Sequence, residues 1–576
     1  FTVTQYDMYP VEDMGLLKID LLAQKGLAVL ADTVREIESR YDQRIDFNII
    51  NPVQDPKTRK LIREGKTIGC FYIESPGMRN LLRKLQVDSF EMLTAASSII
   101  RPGVSESGMM KAFIDRHTEA RHRQLASTML DPTSNNSLPN SNRLSAQQDI
   151  ANFPPGEAHE ILKDTYGIMI YQEDVIKVAH MIGGMSLGES DSLRKCMSKK
   201  RDWQDINTHR SRFISGAIQN GVQKKAAEEI WRQIESFAGY AFCKAHSASF
   251  AIVSYQTAYL KAHYPAEFMA AVLSNRGGFY DACAYTEETR RMGIRILPPD
   301  IQLSDESFTA TSVKLDPTGT LYSSSDFVPR RGNSSIRQTK SSFGSKNYRQ
   351  LPPRQAVRVG LSQVKGLSQN SIGEILNNRP YSSLADFLVR TKVSVSETES
   401  LIRCGAFNTF GISVAELLWQ LKLHHRRPRL FSQFNQQVPI LPEYTPNEKL
   451  LAELECLDLT VSSHPLSLYS FNKKLAQAAI SGNQLEKFSG KLATLIGWAI
   501  TYKRTRTAKN ELMKFMTLED TTATFEVTLF PRVYQQFGHL LYDRGPYIVR
   551  GRVEQEGNCH TVTALWVHRL TRCDSS

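Results

Sequence analysis

The sequence holds no closely spaced cysteine pair. Its eight cysteines (Cys70, Cys196, Cys243, Cys283, Cys404, Cys456, Cys559 and Cys573) are scattered without a C-x-x-C, which supports neither a zinc site nor a disulfide framework and fits a reducing cytoplasm. No apolar run approaches the ~20 residues that a membrane helix needs, so no membrane partner is expected. The first residue is Phe1, followed by T-V-T-Q-Y-D, with neither an initiator Met nor a basic-then-apolar leader. The expectation is a sequence that begins inside a longer reading frame or is a processed piece. Acidic residues are the minority, 59 Asp and Glu against 71 Lys and Arg, for a net charge of +12. That excess favours a polyanionic partner, because clustered cations release condensed counterions from phosphates. Many basic proteins nevertheless bind no nucleic acid, and no RRM-like or KH-like motif points to RNA.

What is present is long and varied. At 576 residues the chain exceeds one ordinary core, so three or four domains are expected. Residues 12–20 (E-D-M-G-L-L-K-I-D) read as a loop entering a buried strand, with Leu16, Leu17 and Ile19 bracketing Lys18 and Asp20. Charges inside such a strand are costly unless paired or functional. From Leu21 to about Asn275 the texture is mainly helical, with i, i+3, i+4 apolar spacing at Ala158–Leu162, Val175–Met181 and Ala226–Phe237. Two polar stretches, 127–155 and 317–354, read as long mobile insertions. The second carries Arg330, Arg331, Arg337, Lys340, Lys346, Arg349 and Arg354 against Asp326, which fits a solvated linker or an accessory nucleic-acid contact equally well. Short helices follow around Gly360, Gly366 and Gly405, then a Pro- and Gln-bearing link near 426–447. From Lys491 to Leu570 short alternating strands such as F-E-V-T-L-F and Y-I-V-R-G-R-V predict a small β-barrel.

Four ordered blocks carry a family resemblance. They are T-Q-Y-D-M-Y-P-V-E-D-M-G-L-L-K-I-D-L-L; G-C-F-Y-I-E-S-P-G-M-R-N-L-L-R-K-L, leading to R-P-G at Arg101–Gly103; K-D-T-Y-G-I-M-I-Y-Q-E-D-V, continued by S-L-G-E-S-D-S-L-R-K-C-M-S-K-K; and F-A-G-Y-A-F-C-K-A-H-S-A-S-F-A-I-V-S-Y-Q-T-A-Y-L-K-A-H-Y-P-A-E-F-M. In this order the chain resembles the bacterial C-family DNA polymerases, the DNA polymerase III alpha subunit and its error-prone relatives, over their carboxy-terminal portion. The likeness runs to about Asp300 and continues more loosely beyond it. The implied fold is multidomain α+β. Residues 1–26 would be the end of the polymerase palm and 27–300 mainly helical fingers. Residues 301–430 would be a helix-hairpin-helix module carrying the 317–354 insertion, 431–485 a linker, and 486–573 a carboxy-terminal OB-like β-barrel.

The resemblance also implies roles. Asp20 would be the last of three palm aspartates, a ligand for the Mg²⁺ that nucleotidyl transfer requires, and Lys18 shares its strand face. Asp20 alone would otherwise read as a structural ion pair. The other two family aspartates belong to a P-D-x-D-x-D-like motif that this sequence lacks, so the isolated chain is expected to be inactive. Arg101, Arg194, Lys195, Lys199, Lys200 and Arg201 are candidates for phosphate contact, or a plain solvated face. His246 matches the family's nucleotide-pocket histidine, although F-C-K-A-H stands here where many relatives have F-N-K-S-H. Lys365 and Gly366 form the hairpin of V-R-V-G-L-S-Q-V-K-G-L, where backbone N–H groups approach DNA phosphate; a generic helical turn is the alternative. In the barrel, Tyr502, Lys503, Arg504, Arg506, Lys509, Lys514 and Phe515 interleave cations with aromatics, as suits single-stranded template; a scaffold for protein contacts is the alternative.

The implied activity is template-directed DNA synthesis in replication or error-prone repair, with primer–template DNA and dNTP as partners, in a bacterial, nucleoid-associated cytoplasmic setting. A sliding clamp and other replisome or mutasome subunits would be further partners, the clamp docking near Arg429-Leu430-Phe431 or Gln433-Phe434. S-N-R-G-G-F-Y and A-E-L-L-W-Q-L resemble the error-prone branch, and K-A-H-S-A-S-F-A-I-V-S-Y-Q-T the replicative one. A second reading from another class is a non-catalytic DNA-binding subunit descended from such a polymerase.

Overall fold

The computed structural model describes all residues except 1–3, 18, 20–23, 101–107, 130–160, 200–202, 237–242, 316–320, 324–353, 427–440, 470–477, 508 and 571–576. Near the amino end, α1 (Met8–Asp13) is followed by a turn and not by a buried strand. Leu16, Leu17 and Ile19 are 58%, 84% and 69% exposed. A strand is stabilised by hydrogen bonds to a neighbour, and among the described residues no strand lies beside this segment.

Capping residues open the first helices of the body. Asp55, Ser75 and Ser89 each accept a backbone N–H at the third helical position, and proline fills the first position of two of them. After α2 (Lys25–Tyr41), these helices are α3 (Pro56–Arg63), α4 (Pro76–Leu85) and α5 (Phe90–Ile99), followed by α6 (Met109–Met129). The next four are α7 (Gln172–Met181), α8 (Leu187–Lys199), α9 (Trp203–Gln219) and α10 (Lys224–Ser236). Phe213 and Trp231 join the last two, with ring centroids 5.6 Å apart. The long α11 (Lys244–His263) packs closely on α2, α3 and α5. Its small residues Ser247, Ala251, Ser254 and Ala258 are buried and allow that approach. α12 (Pro265–Asn275) and α13 (Ala282–Arg291) complete this part.

A four-stranded sheet follows, ordered β1 (Arg295–Leu297), β4 (Arg354–Arg358), β2 (Thr309–Leu315), β3 (Leu321–Ser323). Residues 321–323 pair with β2 and Arg354 starts β4, so the insertion expected over 317–354 contributes strand at both ends. Backbone pairing overrides the polar composition there. The basic residues from Arg330 to Arg349 lie outside the described residues. Beyond the sheet come α14 (Gln369–Asn377), α15 (Leu384–Arg390), α16 (Val395–Arg403), α17 (Val414–Arg426) and α18 (Pro446–Leu457). One continuous hydrophobic core runs from Val29 to Val461, across the domain boundary expected at 300.

The last unit has its own core. A short β5 (Ala479–Ile480) pairs with β6 (Leu492–Arg506), which pairs in turn with both β7 (Leu512–Glu519) and β9 (Tyr547–Glu556). With β8 (Thr524–Leu529) and β10 (Cys559–Arg569) the ring closes as β6-β7-β8-β10-β9-β6, and β8 and β10 run parallel. α19 (Pro531–Phe537) lies between the third and fourth strands of this barrel. A closed five-stranded barrel with this order is OB-like.

Buried charge fastens the barrel to the helical body. Lys261 Nζ donates to the Ile68 carbonyl (2.7 Å) and to Glu288 (2.8 Å). Arg291 bridges Glu288 (3.2 Å) and Glu519 of β7 (2.9 Å). Burial opposes ionisation of Glu288, yet Lys261 and Arg291 outweigh it and hold its pKa down to about 2. Arg79 of α4 donates to Thr524 (2.9 Å), Lys84 pairs with Glu556 (2.6 Å), and Arg544 pairs with Asp281 (2.8 Å). Replacing Lys261 with Met removes one partner from a buried charge chain and leaves Glu288 facing Arg291 alone. The expected loss of stability is about 3–5 kcal/mol, read from urea denaturation; a loss under about 1 kcal/mol, an ordinary surface value, would contradict the role given to Lys261.

Candidate nucleotide and nucleic-acid interface

Three of the four sequence blocks meet at the amino end of α11. The second block contributes Phe71 and Tyr72. Ser254 of α11 donates to the Phe71 carbonyl (2.9 Å), and the Phe71 N–H donates to Thr257 (3.3 Å). Tyr72 holds φ +65°, a left-handed conformation uncommon for a bulky residue. Its ring meets Phe250 edge-on at 4.9 Å, Phe71 meets the same ring at 5.1 Å, and His246 lies 4.1 Å from it. His246 and Phe250 are one helical turn apart, so both face the second block.

The third block closes the other side. Asp174 accepts the Ile170 and Tyr171 N–H groups (2.9 Å each) and fixes the start of α7. The neighbouring Glu173 then accepts the Lys244 N–H at 3.0–3.1 Å, placing a carboxylate at the amino end of α11. Unpaired N–H groups and the helix dipole make that end favourable for an anion. The Lys244 ammonium lies over the Tyr171 ring at 5.3 Å. Gln172 accepts from Arg194 of α8 (3.4 Å), and Arg194 and Lys195 both pair with Asp191 (2.9 Å each). Arg194 is half-buried and Lys195 exposed, and Gln172 links Arg194 to the start of α7 that also carries Glu173.

The other expected residues distribute as follows. Asp20, Lys18, Arg101, Lys200, Arg201 and the clamp-docking candidates at 429–434 lie outside the described residues, and Lys199 is placed only as the last residue of α8. Among the described residues no group of three or more His, Cys, Asp or Glu could hold a metal ion, and no helix is long and apolar enough to cross a membrane.

The Lys365-Gly366 hairpin rests on the end of α18. The Lys365 N–H donates to the Cys456 carbonyl (2.8 Å), and its ammonium pairs with Asp458 (2.6 Å). That N–H is therefore spent within the protein, whereas Gly366, at φ +80°, has open space where a side chain would stand. In the barrel, Tyr502, Lys503 and Arg504 are all exposed in succession, because the end of β6 and the start of β7 project as a ribbon. Phe515 lies opposite Lys503 and is 39% exposed. Lys514 departs from the expected exposed row. It is buried, donates to the Leu541 carbonyl (2.8 Å) and lies 4.1 Å from the Tyr502 ring. It supports Tyr502 from below and presents no free cation.

Glu173, Lys244 with Tyr171, and Tyr72 with Phe250 were not picked out from sequence. The Y-Q-E-D and F-C-K-A-H runs contain Tyr171, Glu173 and Lys244, and Tyr72 and Phe250 lie in G-C-F-Y and S-A-S-F, but only folding shows that these runs meet.

Two segments of the chain match known protein families. Residues 26–221 match the bacterial DNA polymerase III alpha subunit finger domain, and residues 293–417 match a helix-hairpin-helix motif. Over almost its whole length the chain is similar to DNA polymerase III alpha subunits and to error-prone DNA polymerases. It is 32% identical to the DNA polymerase III subunit alpha of Thermus aquaticus, over 98% of the chain and 42% of that protein. It is 30% identical to the one from Aquifex aeolicus, over 96% and 42%. Against the error-prone DNA polymerase of Symbiobacterium thermophilum it is 30% identical, over 100% of the chain and 51% of that protein. The chain thus spans about half the length of the curated relatives it matches.

Glu397 provides a check on the helix-hairpin-helix region. It accepts from the Ser394 N–H and the Ser368 N–H (2.9 Å each) and from the Ser371 hydroxyl (2.8 Å), tying α16 to the start of α14. Burial opposes its ionisation, but these hydrogen bonds hold its pKa down to about 2. Its contribution is therefore present above pH ~4.3, the unfolded value, and lost as pH falls toward 2. Glu397→Ala is expected to lower stability by about 1–2 kcal/mol at neutral pH. The difference from wild type should vanish in melts near pH 2; a constant difference would remove the ionic cause.

Proposed function

We propose that this chain supplies the nucleotide-handling fingers, a helix-hairpin-helix DNA clamp and an OB-like barrel of a DNA-directed DNA polymerase. The complete enzyme would transfer deoxynucleotides to a primer 3′ end, in the bacterial cytoplasm. The observation that carries this reading is the convergence of the second, third and fourth blocks on the amino end of α11. An incoming dNTP would bring its triphosphate to that end, displacing Glu173 from the Lys244 N–H, with Lys244 as the cation there and Arg194 and Lys195 of α8 as further candidates. Charged hydrogen bonds to phosphate are strong and directional, so Asp191 would yield these side chains to a better acceptor. His246, supported on Phe250, would face the nucleotide from the first turn of the same helix. Primer–template would lie along Gly366 and the barrel ribbon with its backbone neutralised, a sequence-independent mode of binding.

Mg²⁺ would supply charge neutralisation for the leaving pyrophosphate in the complete enzyme. Asp20 is the candidate ligand by family resemblance, and the described residues contain no cluster that fits the ion. The chain's own residues are therefore assigned to binding and orienting. Whether it serves the replicative or the error-prone branch does not alter that assignment, and a sliding clamp is a proposed further partner.

Three measurements test the reading. In the complete polymerase, His246→Ala should raise the KM for dNTP about tenfold while leaving primer–template affinity unchanged, the pattern of a group that contacts nucleotide. An unchanged KM would remove His246 from the pocket. Asp20→Asn should abolish extension with DNA binding intact, and residues 1–576 alone should bind DNA without extending it. Extension by the chain alone would overturn the division of labour. Full activity of the Asp20 variant would favour the second reading, a DNA-binding subunit.

A further inference from the structure

Strand β10 breaks the alternation of a barrel strand at one point. Val562 and Ala564 point into the barrel core, the register slips between Ala564 and Trp566, and the core position is resumed by Val567. A β-bulge of this kind re-aims side chains. Regular alternation would carry Trp566 inward after Val562 and Ala564. With the bulge, Leu565 and Trp566 both face outward, 53% and 40% exposed. Two adjacent large apolar side chains on a barrel wall add nothing to its core.

Their surroundings indicate what they meet. The rings of Trp566 and His568 lie nearly parallel, 17° apart in plane with centroids 5.7 Å apart. Arg550 lies directly across from Trp566 on β9 and is exposed, with no carboxylate partner among the described residues. Arg552 follows on the same face and, among the described residues, reaches only the Gly490 carbonyl (3.4 Å). The carboxylates of this strand, Glu554 and Glu556, come at its far end, and Glu556 is engaged by Lys84. This wall is separate from the β6–β7 ribbon, because Arg550 pairs with Thr494 in the first half of β6 and Tyr502 lies in the second half.

Flat rings beside unneutralised guanidinium groups match a strand whose bases stack and whose phosphates follow a cationic track. We infer that Trp566, His568, Arg550 and Arg552 form a second contact for single-stranded nucleic acid, independent of the ribbon around Tyr502. The inference rests on the polymerase reading only for the origin of the strand, since binding needs no synthesis. An apolar protein partner fits less well, because it would leave two arginines facing no acid.

The test uses residues 1–576 and a fluorescent oligothymidylate. Trp566→Ala is expected to weaken binding about tenfold, the range for losing one stacked base. Arg550→Ala should weaken it less and lower the salt dependence by about one phosphate contact. An oligonucleotide carrying 5-iododeoxyuridine should photocross-link within 559–569. Thermal melts of both variants should match wild type, since neither side chain is in the core. Unchanged affinity for both variants, with cross-links confined to the ribbon, would overturn the inference and assign the wall to a protein partner. Primer extension by the complete enzyme is read separately, so loss of this site and loss of the polymerase reading are distinguishable.

Discussion

The arrangement depends on one buried chain of charge, Lys261–Glu288–Arg291–Glu519. The chain runs from the Ile68 carbonyl, just before the second block, to Lys261 of α11, then to Glu288 and Arg291 one turn apart on α13, and ends on Glu519 of the barrel strand β7. Buried ion pairs often add little net stability compared with an apolar filling of the same volume. What they do add is a single permitted geometry, because any shift leaves a charge without its partner in a medium that solvates it poorly. The loop that positions Phe71 and Tyr72 is thus referenced to the same helix that bears His246, and that helix is referenced to the barrel.

The docking also decides which parts of the barrel stay available. OB folds commonly use the outer face of strands two and three, with nearby loops, for ligands. Here the β7–β8 turn end of that face meets the body, Glu519 on Arg291 and Thr524 on Arg79, and the β9–β10 turn meets α4 through Lys84. Exposed aromatic and cationic side chains are accordingly found at the projecting ribbon and on the β9–β10 wall.

Much of this was legible in the residues. Short alternating strands announced the barrel, because the period of two in F-E-V-T-L-F and Y-I-V-R-G-R-V is a local property. Helices in the body could be read from Val175–Met181 and Ala226–Phe237 for the same reason. The segment before Asp20 misled, since Leu16, Leu17 and Ile19 are apolar enough for a buried strand and yet are exposed; apolarity fixes a preference for burial but does not provide the neighbour. Lys514 misled in the opposite sense, as a cation in a basic run that folding buries against Leu541 and Tyr502. The pairing of Glu173 with the start of α11 joins residues seventy-one positions apart, and no local pattern encodes such a contact.

The cysteines carry a practical consequence. Cys70, Cys283, Cys404, Cys456 and Cys559 are buried, and burial pushes the Cys70 thiol up to about 12. Thiolate, the reactive form, is then scarce and shielded. Among the described residues only Cys196 and Cys243 are partly open to solvent. One lies on α8 beside Arg194 and Lys195, the other immediately before Lys244 at the head of α11. With Cys573, which lies outside the described residues, replaced by serine, a maleimide dye or spin label offered to the folded chain would thus be steered to the two flanks of the candidate nucleotide pocket. The fold comes with its own pair of spectroscopic handles for following the distance across that pocket.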